Sequence, residues 1–544
     1  MDTVKNKISK RSSMSDTSRS GSPKISIDKT VNSPKRLFMS LFLAFAVLGG
    51  IWSVATPLMA YPDEPSHTIR AAAVVRGQVT PQEGQSFGNG VHVLVPSYIA
   101  NLEGQRCFVF FADRTADCAP VIPGQDTFDA IGVTSAGAYN PMYYAVVGLP
   151  SLVMSGAPAL YAMRIVSVLF SAVFFAAAFM SLNRLRKAKW PLVTATIAVT
   201  PMVLFLSSGI NPNSLEISAT LAAFCAFLAV LDRSGDLRSV VAPIATVVLS
   251  TAVLANTRSV SLVWLLCAVV GACLFFRWES TKRVLSNRLV LIGMGIAAAG
   301  VVLGLLWMVL ASRAPASSGS APEGIVNPAP GVAPYQAFVT MLDRTFDFIP
   351  QYIGIVGWLD TAVPQGVMAF WSMLFIALLL LSLLARPRKL AISMAVALVA
   401  VAVVPALLQA MLITTVGFFW QGRYTMPLVL TLFVAAGLAL RTRGFPTGRR
   451  RRSVARALFW AALAAHVIGF LYVLRRYVVG IIDISTWQTM ISHPSWQPPL
   501  GWFVLTLIYA VVMLFVAQRF YAFLFPGHKL FVAPAIRLKR KELV

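Results

Sequence analysis

Charged residues are scarce in this sequence. Only 12% of its 544 residues are Asp, Glu, Lys or Arg, about half the share found in soluble proteins, which need charged side chains on their surface. Hydrophobic residues make up 57% of the chain, and the mean hydropathy is +0.72. The apolar residues come in runs of about twenty, the length that crosses a bilayer as a helix. This composition excludes a soluble multidomain protein and predicts an all-α polytopic membrane protein.

Cysteines and nucleotide-binding motifs are also few. Five cysteines exclude a disulfide-rich scaffold and a CxxC metal site, although Cys107 and Cys118 can form a disulfide in an outer loop. No glycine-rich phosphate loop of the Walker type is present, so we expect no nucleotide cofactor. The net charge of +25 does not indicate a nucleic-acid partner, because the basic residues cluster between apolar runs, as in cytoplasmic loops.

The apolar runs predict twelve membrane spans. Their bounds are about 37–59, 158–182, 190–208, 213–232, 239–256, 259–276, 289–311, 366–385, 390–414, 425–441, 455–474 and 501–523. Another apolar segment, 139–155, is short and interrupted by Pro141 and Pro150, which predicts a re-entrant or interfacial helix. If that segment does not cross, all thirteen lysines lie on one side, which the positive-inside rule makes cytoplasmic.

This topology divides the chain. Residues 1–36, rich in Ser, Lys and Arg, predict a disordered cytoplasmic tail, and 525–544 predict a basic cytoplasmic tail. Residues 37–524 form the transmembrane domain, whose long outer loops are 60–137, 312–365 and 475–500. Because the acidic motifs fall in outer segments, we expect the protein to act at the outer face of the cell membrane.

The first candidate motif follows the first span and runs from Tyr61 to His67. Asp63, Glu64 and His67 are costly at a membrane surface unless they meet a cation, a partner or a substrate. One interpretation is a helix N-terminus, which favours acids and an early proline. The other is a carboxylate base with a raised pKa, Asp63 beside Glu64, and a divalent cation (Mg, Mn or Ca) held by Asp63, Glu64 and His67.

A second motif, 207–216, is a tight outer turn. Asn211 and Pro212 make the turn, and Glu216 falls in the first turn of the next helix, where the helix dipole favours an anion. Glu216 is therefore either a structural acid or a second acid facing the same cavity as Asp63.

A third motif, 421–424, begins a late span. Arg423 has five donors suited to grasping a phosphate, flanked by Gln421 and Tyr424. Interfacial anchoring or an ion pair to an outer acid is the alternative. Six residues are candidates for the lining of the substrate cavity, although packing, a turn or a helix cap would also explain them: His67, Asn140, Tyr143, Asn211, Trp358 and Asp360.

Five motifs in one order carry a family resemblance. They are PDEPxH after the first span, YNPxYY, NPxSxE, GWLDT and QGRY. The chain resembles, from about residue 37 to 520, bacterial polytopic membrane proteins described as a domain of unknown function and grouped with the GT-C glycosyltransferases. The resemblance implies a GT-C-like bundle of about 12–13 transmembrane helices with a long first outer loop.

The resemblance also implies a reaction, the transfer of a sugar from a polyprenyl-phosphate carrier to an acceptor outside the membrane. Asp63 then corresponds to the first-loop base or metal ligand, Glu216 to a second acid, and Arg423 to the residue that holds the carrier phosphate. The sequence lacks the large soluble C-terminal domain of many GT-C enzymes, so acceptor recognition would rest on the outer loops.

We therefore predict an inverting membrane glycosyltransferase acting on an envelope polysaccharide, teichoic acid or glycolipid. A transporter or flippase of lipid-linked sugars is the alternative, with the same acids binding headgroups. A non-catalytic envelope-assembly protein is a third hypothesis, and it would tolerate the loss of the Asp63 carboxylate.

Overall fold

The computed structural model describes residues 34–80, 86–87, 90–124, 127–313, 329–481 and 486–531. The predicted N-terminal tail, 1–36, lies outside these residues except at 34–36. The predicted C-terminal tail, 525–544, lies outside them beyond residue 531.

Helices dominate the described chain. They are α1 (Pro34–Ala55), α2 (Glu64–Val74), α3 (Ser97–Ala100), α4 (Pro141–Val147), α5 (Gly156–Asn183), α6 (Lys189–Ala198), α7 (Pro201–Leu206), α8 (Pro212–Asp232), α9 (Val241–Ala255), α10 (Ser261–Leu274), α11 (Trp278–Leu285), α12 (Arg288–Arg313), α13 (Pro334–Asp343), α14 (Ile349–Ile353), α15 (Gln365–Leu383), α16 (Arg388–Val416), α17 (Gly422–Leu440), α18 (Arg449–Val479), α19 (Trp487–Ser492) and α20 (Trp502–Leu524).

Ten helices among the described residues are long and apolar enough to cross a membrane. They are α1, α5, α8, α9 with the 3-10 turn before it, α12, α15, α16, α17, α18 and α20. The prediction of an all-α polytopic membrane protein is confirmed.

Two predicted spans are not single long helices. The span at 259–276 is α10, which has 14 residues. The span at 190–208 is broken into α6 and α7, because Pro201 lacks the N–H that a continuous helix needs at that point. Thr200 accepts a hydrogen bond from the Val203 amide at 3.4 Å and so caps α7.

The segment 139–155 does not form a spanning helix. It contains α4, of seven residues, and a 3-10 turn over Leu149–Leu152. Seven helical residues extend about 10 Å, one third of the hydrocarbon thickness. The prediction that this segment does not cross as a helix is confirmed.

Helices α8 and α17 occupy the centre of the bundle. In the most apolar stretch of each helix, 94% of the residues of α8 and 89% of those of α17 are buried, against 11% for α20. Both helices begin at the end of the bundle that carries the predicted motifs, with Asn211 before α8 and Gln421 before α17. They run from this motif-bearing end to an end rich in basic residues. There Asp232, at the end of α8, accepts hydrogen bonds from the Arg441 guanidinium and the Arg186 amide, both at 2.8 Å.

The long first loop folds onto the motif-bearing end. An antiparallel sheet contains β1 (Ser86–Phe87), β2 (Gly90–Pro96) and β3 (Asp129–Thr134), with Leu94 opposite Ile131, and it packs on α2. A second pair of strands joins β4 (Ile355–Val356) to β5 (Thr361–Ala362). Cys107 and Cys118 form a disulfide within this loop.

Arg476 of α18 fixes the disulfide-bearing part of the loop to the bundle. Its fully buried guanidinium donates to the carbonyls of Phe108, Phe111 and Arg114 at 2.7 to 2.9 Å. Because one side chain binds three backbone carbonyls, this part of the first loop is held in a fixed position on the helices.

Candidate functional site

Asp63 lies between α1 and α2 in a left-handed backbone conformation, with φ of 59°. Its side chain does not cap α2, although the residue occupies the N-cap position. The carboxylate instead accepts a hydrogen bond from the Arg423 guanidinium, with 2.6 Å between Oδ2 and Nη2. A left-handed non-glycine residue costs backbone free energy. The helix-capping interpretation therefore does not account for the Asp63 side chain.

Arg423 belongs to the first turn of α17. Gly422 permits the close approach that places it there, because a Cβ at this position would lie 2.7 Å from the Gln351 Cβ. The Arg423 side chain is 3% exposed, whereas the Asp63 side chain is 41% exposed. Nη2 also contacts the Tyr424 hydroxyl at 2.9 Å, but Nε and Nη1 have no hydrogen-bond partner in the described chain. Two buried donors are thus available to an incoming anion.

The charge balance lowers the pKa of Asp63 below its ordinary value. Burial acts to raise this pKa, but the positive charge and hydrogen bond of Arg423, with a further contribution from Arg258, outweigh it. The prediction of a raised pKa is therefore wrong. The cause is a cation that comes from the far end of the sequence and faces Asp63 more closely than Glu64 does.

Glu64 points away from Asp63 into the protein. Its carboxylate is fully buried and accepts two hydrogen bonds from the Arg164 guanidinium, at 2.6 and 2.7 Å. Arg164 also donates to the carbonyls of Ser53, Thr56 and Pro57, where α1 ends. Glu64, predicted as catalytic, thus holds the end of α1 in place and presents no free oxygen to a substrate.

Glu216 is likewise buried and fully engaged. It accepts hydrogen bonds from Asn213 at 3.1 Å, Ser261 at 2.6 Å and Arg258 at 3.3 Å. Its partner Arg258, in the connection between α9 and α10, belongs to none of the motifs, and sequence reasoning missed it. An isolated arginine between two apolar runs was the available signal.

Arg258 reaches a cavity of about 570 Å³. Its guanidinium carbon lies 5.6 Å from the centre of the Tyr139 ring and 5.3 Å from that of Tyr424, and the Tyr424 ring also lies 4.9 Å from the Arg423 guanidinium. The polar part of the cavity wall contains Tyr139, Asn140, Arg258, Ser259 and Tyr424, and the apolar part contains Val263, Met308, Ala311, Leu408, Leu412 and Trp420. The cavity thus combines a cationic end with an apolar wall.

The remaining predicted residues of the cavity and the phosphate site divide into those that line the cavity and those that do not. Asn140 lines the cavity and donates to the Asn256 side chain at 3.1 Å. Gln421 is the N-cap residue of α17 without a side-chain cap, and it does not line the cavity. His67 pairs with the Tyr144 hydroxyl at 2.8 Å and also lies outside the cavity wall.

Four predicted lining residues hold the structure together instead. The Tyr143 hydroxyl pairs with Ser167 at 2.8 Å, and Asn211 caps α8 and donates to the Pro62 carbonyl at 2.9 Å.

Trp358 and Asp360 bind the first loop to the bundle. The Trp358 indole donates to the Met59 carbonyl at 3.2 Å, and Asp360 accepts from the Phe110 amide at 2.9 Å. Like Tyr143 and Asn211, these two predicted cavity residues do not belong to the wall of the cavity described above. The sequence does not reveal which polar side chains are engaged by internal contacts.

The predicted cation ligands do not fit a metal ion. Asp63 faces Arg423, Glu64 is engaged by Arg164, and Nδ1 of His67 faces Tyr144. Across the described ranges, no group of three or more His, Cys, Asp or Glu side chains could hold a metal ion. The arrangement is suited to holding an anion at Arg423 and Arg258 beside one accessible carboxylate.

Comparison with known proteins shows the family. The chain belongs to the family described as predicted membrane protein (DUF2142), whose model matches residues 45–432. The crystal structure of ArnT from Cupriavidus metallidurans in the apo state is similar over 90% of this chain and 77% of that chain, with 13% sequence identity and a TM-score of 0.43. No curated protein matches the chain.

Proposed function

We propose that this protein is a membrane glycosyltransferase that moves a sugar from a polyprenyl-phosphate carrier to a hydroxyl of an envelope glycan or glycolipid. The observation that carries the proposal is the pair of Asp63 and Arg423. One half-exposed carboxylate lies against a buried guanidinium that keeps two donors unpaired. The pair adjoins, through Tyr424, a cavity with a cationic end and an apolar wall.

The cavity matches the two parts of such a donor. A carrier lipid has an anionic phosphate joined to a long apolar chain, and it arrives laterally from the bilayer. Arg258 in the cavity wall and Arg423, which contacts the wall residue Tyr424, attract the phosphate, while the wall around Met308 and Leu412 accommodates apolar chain atoms. Guanidinium groups bind phosphate by charge-assisted hydrogen bonds, which are stronger than neutral ones.

The reaction assigns a role to each charge. The acceptor oxygen bonds to the anomeric carbon while the bond from that carbon to the phosphate oxygen breaks. Asp63 takes the hydroxyl proton, and the departing polyprenyl phosphate carries the electron pair and gains negative charge, which Arg423 and Arg258 stabilise. A phosphate that engages Arg423 also weakens its hold on Asp63, which makes the carboxylate a stronger base when the donor is bound.

The basic residues at the opposite end of the bundle support an orientation of the protein in the membrane. Helix α8 ends at Asp232, which pairs with Arg441 directly after α17, near the basic connections that the positive-inside rule assigns to the cytoplasm. The Asp63 end then faces the outside, where envelope acceptors are found. We propose an extracytoplasmic site with both termini in the cytoplasm.

The test is the envelope glycan of a strain that lacks the protein. Complementation with wild type should restore a specific sugar, whereas Asp63→Asn and Arg423→Ala, at equal membrane levels, should not. Asp347→Asn is the matched control, since Asp347 is exposed and forms an exposed ion pair with Arg344 at 3.6 Å. Full restoration by Asp63→Asn would refute the catalytic role and favour the flippase or assembly hypothesis.

A further inference from the structure

His67 is one helical turn beyond Asp63 on α2, and it is 6% exposed. Its Nδ1 lies 2.8 Å from the Tyr144 hydroxyl, while Nε2 has no hydrogen-bond partner among the residues that the structure describes. The ring centre lies 5.9 Å from that of Tyr139, which belongs to the cavity wall. The charged groups that act on the imidazole are Asp63, the proposed base, and the two proposed phosphate-binding arginines, Arg258 and Arg423. The ring therefore has one nitrogen held by the protein and one that is not.

The position of Tyr144 is built by α4. Asn140 caps this helix by accepting from the Met142 amide at 3.0 Å, and Pro141 begins it. At the other end, a Cβ at Gly148 would overlap the Ala71 carbonyl, so glycine allows α4 to lie directly against α2. The close packing of the two helices holds the phenol against the imidazole.

The hydrogen bond between Tyr144 and His67 determines the tautomer of the imidazole. Tyr144 is fully buried, and its hydroxyl has no hydrogen-bond partner in the described ranges other than His67 Nδ1. Burial raises the pKa of Tyr144 well above its ordinary value, so the phenol keeps its proton and must donate it. Nδ1 is then the acceptor, and the ring proton is on Nε2.

The ring is also neutral. Burial lowers the pKa of His67 to about 3, and the positive charges of Arg258 and Arg423 lower it further. The negative charge of Asp63 acts to raise this pKa but does not outweigh them. At pH 7 the side chain thus has one N–H, on the nitrogen that the protein leaves unpaired.

We propose that His67 acts as a neutral Nε2–H donor to an oxygen of the carrier phosphate and that Tyr144 is the positioning residue that fixes this tautomer. The identity of the ligand rests on the proposed function. The donor supplements Arg258 and Arg423 with a hydrogen bond that adds no charge. Such a donor directs a phosphate oxygen without holding the product anion as strongly as a third cation would.

Nitrogen NMR of the full chain in lipid nanodiscs, with ¹⁵N-labelled histidine, reads the tautomer directly. The chain has five histidines, so His67→Gln identifies the His67 signals by their loss. We expect a protonated Nε2 and an unprotonated Nδ1 at pH 7. Tyr144→Phe should mix the two tautomers, whereas Tyr143→Phe, which removes the neighbouring buried hydroxyl that pairs with Ser167, should leave them unchanged.

The second readout uses polyprenyl monophosphate as the probe. Its addition should shift the Nε2 signal of the wild type, and His67→Gln, which keeps an amide donor, should bind it within about threefold of wild type, whereas His67→Ala should bind it at least tenfold more weakly. A protonated Nδ1, an imidazolium at pH 7, equal effects of the two tyrosine variants, or unchanged binding by His67→Ala would each overturn the inference. The tautomer is measured without ligand, so absence of any phosphate-lipid binding counts against the proposed function, while the tautomer result still decides the assignment to Tyr144.

Discussion

The carboxylate of Asp63 and the guanidinium of Arg423 are 360 positions apart in the sequence and 2.6 Å apart in the structure. The Asp63 side chain is 41% exposed, whereas the Arg423 side chain is 3% exposed. Two neighbouring acid–arginine pairs, Glu64 with Arg164 and Glu216 with Arg258, bury their carboxylates completely. Of these three acids, only Asp63 can meet a substrate.

Arg423→Lys should lower kcat/KM for the lipid donor at least about 30-fold, which corresponds to about 2 kcal/mol for charge-assisted hydrogen bonds. Lysine keeps the charge but cannot supply the donor geometry of Nε and Nη1, which are unpaired in the described chain. The measurement is transfer from a radiolabelled carrier lipid in proteoliposomes. Wild-type kinetics in the lysine variant would show that charge alone suffices.

Glu64→Gln should destabilise the protein by about 3 to 5 kcal/mol, because it leaves the fully buried Arg164 without its counter-ion. Thermal unfolding in one detergent measures the effect. Asp63→Asn is the matched control one residue away, and its unfolding temperature should change much less, since Asp63 is half-exposed. Equal shifts in the two variants would contradict the assignment of a structural role to Glu64 alone.

Glu216→Gln should raise the KM for the donor more than it lowers kcat, because the carboxylate orients Arg258 and does not contact substrate. Ser261→Ala removes one neutral hydrogen bond of 2.6 Å to the same carboxylate and leaves its charge opposite Arg258, so it should produce a smaller change in the same direction. A fall in kcat with unchanged KM would instead support a direct catalytic role for Glu216.

The acidic limb of the kcat/KM profile should lie below the ordinary Asp pKa of 3.8, since Arg423 is a principal cause of the lowered pKa of Asp63. The stabilising contribution of this pair is complete above the pKa of the unfolded state and is lost as the pH falls through the folded pKa. Arg423→Ala should move the limb to higher pH in the residual activity. A limb at the same pH in both proteins would show that another group controls it.

The sequence indicates which residues are candidates for the site, but it does not indicate which of them contact one another. Asp63 and Arg423 were both identified, because a carboxylate and an arginine at membrane depth have few inexpensive explanations. Their pairing could not be predicted, since nothing local links α2 to the start of α17.

The adjacent acids show a limit of another kind. Asp63 and Glu64 are equivalent in a linear motif, yet the left-handed backbone at Asp63 turns one side chain to the site and leaves the other against Arg164. Arg258 was missed because its role depends on the packing of Tyr139 and Tyr424 around it. Membrane spans were predicted well, except where Pro201 divides one and where α10 has only 14 residues.

That division has a consequence for biogenesis. Helices α6 and α7 have ten and six residues, about 15 and 9 Å at 1.5 Å per residue, so neither can be threaded across the bilayer alone. The insertion machinery must accept them as one segment. The turn after α7 supplies the Ile210 amide that donates to Glu64 at 3.2 Å. The Asp63 end of the bundle therefore cannot mature during synthesis until this divided segment has entered the membrane.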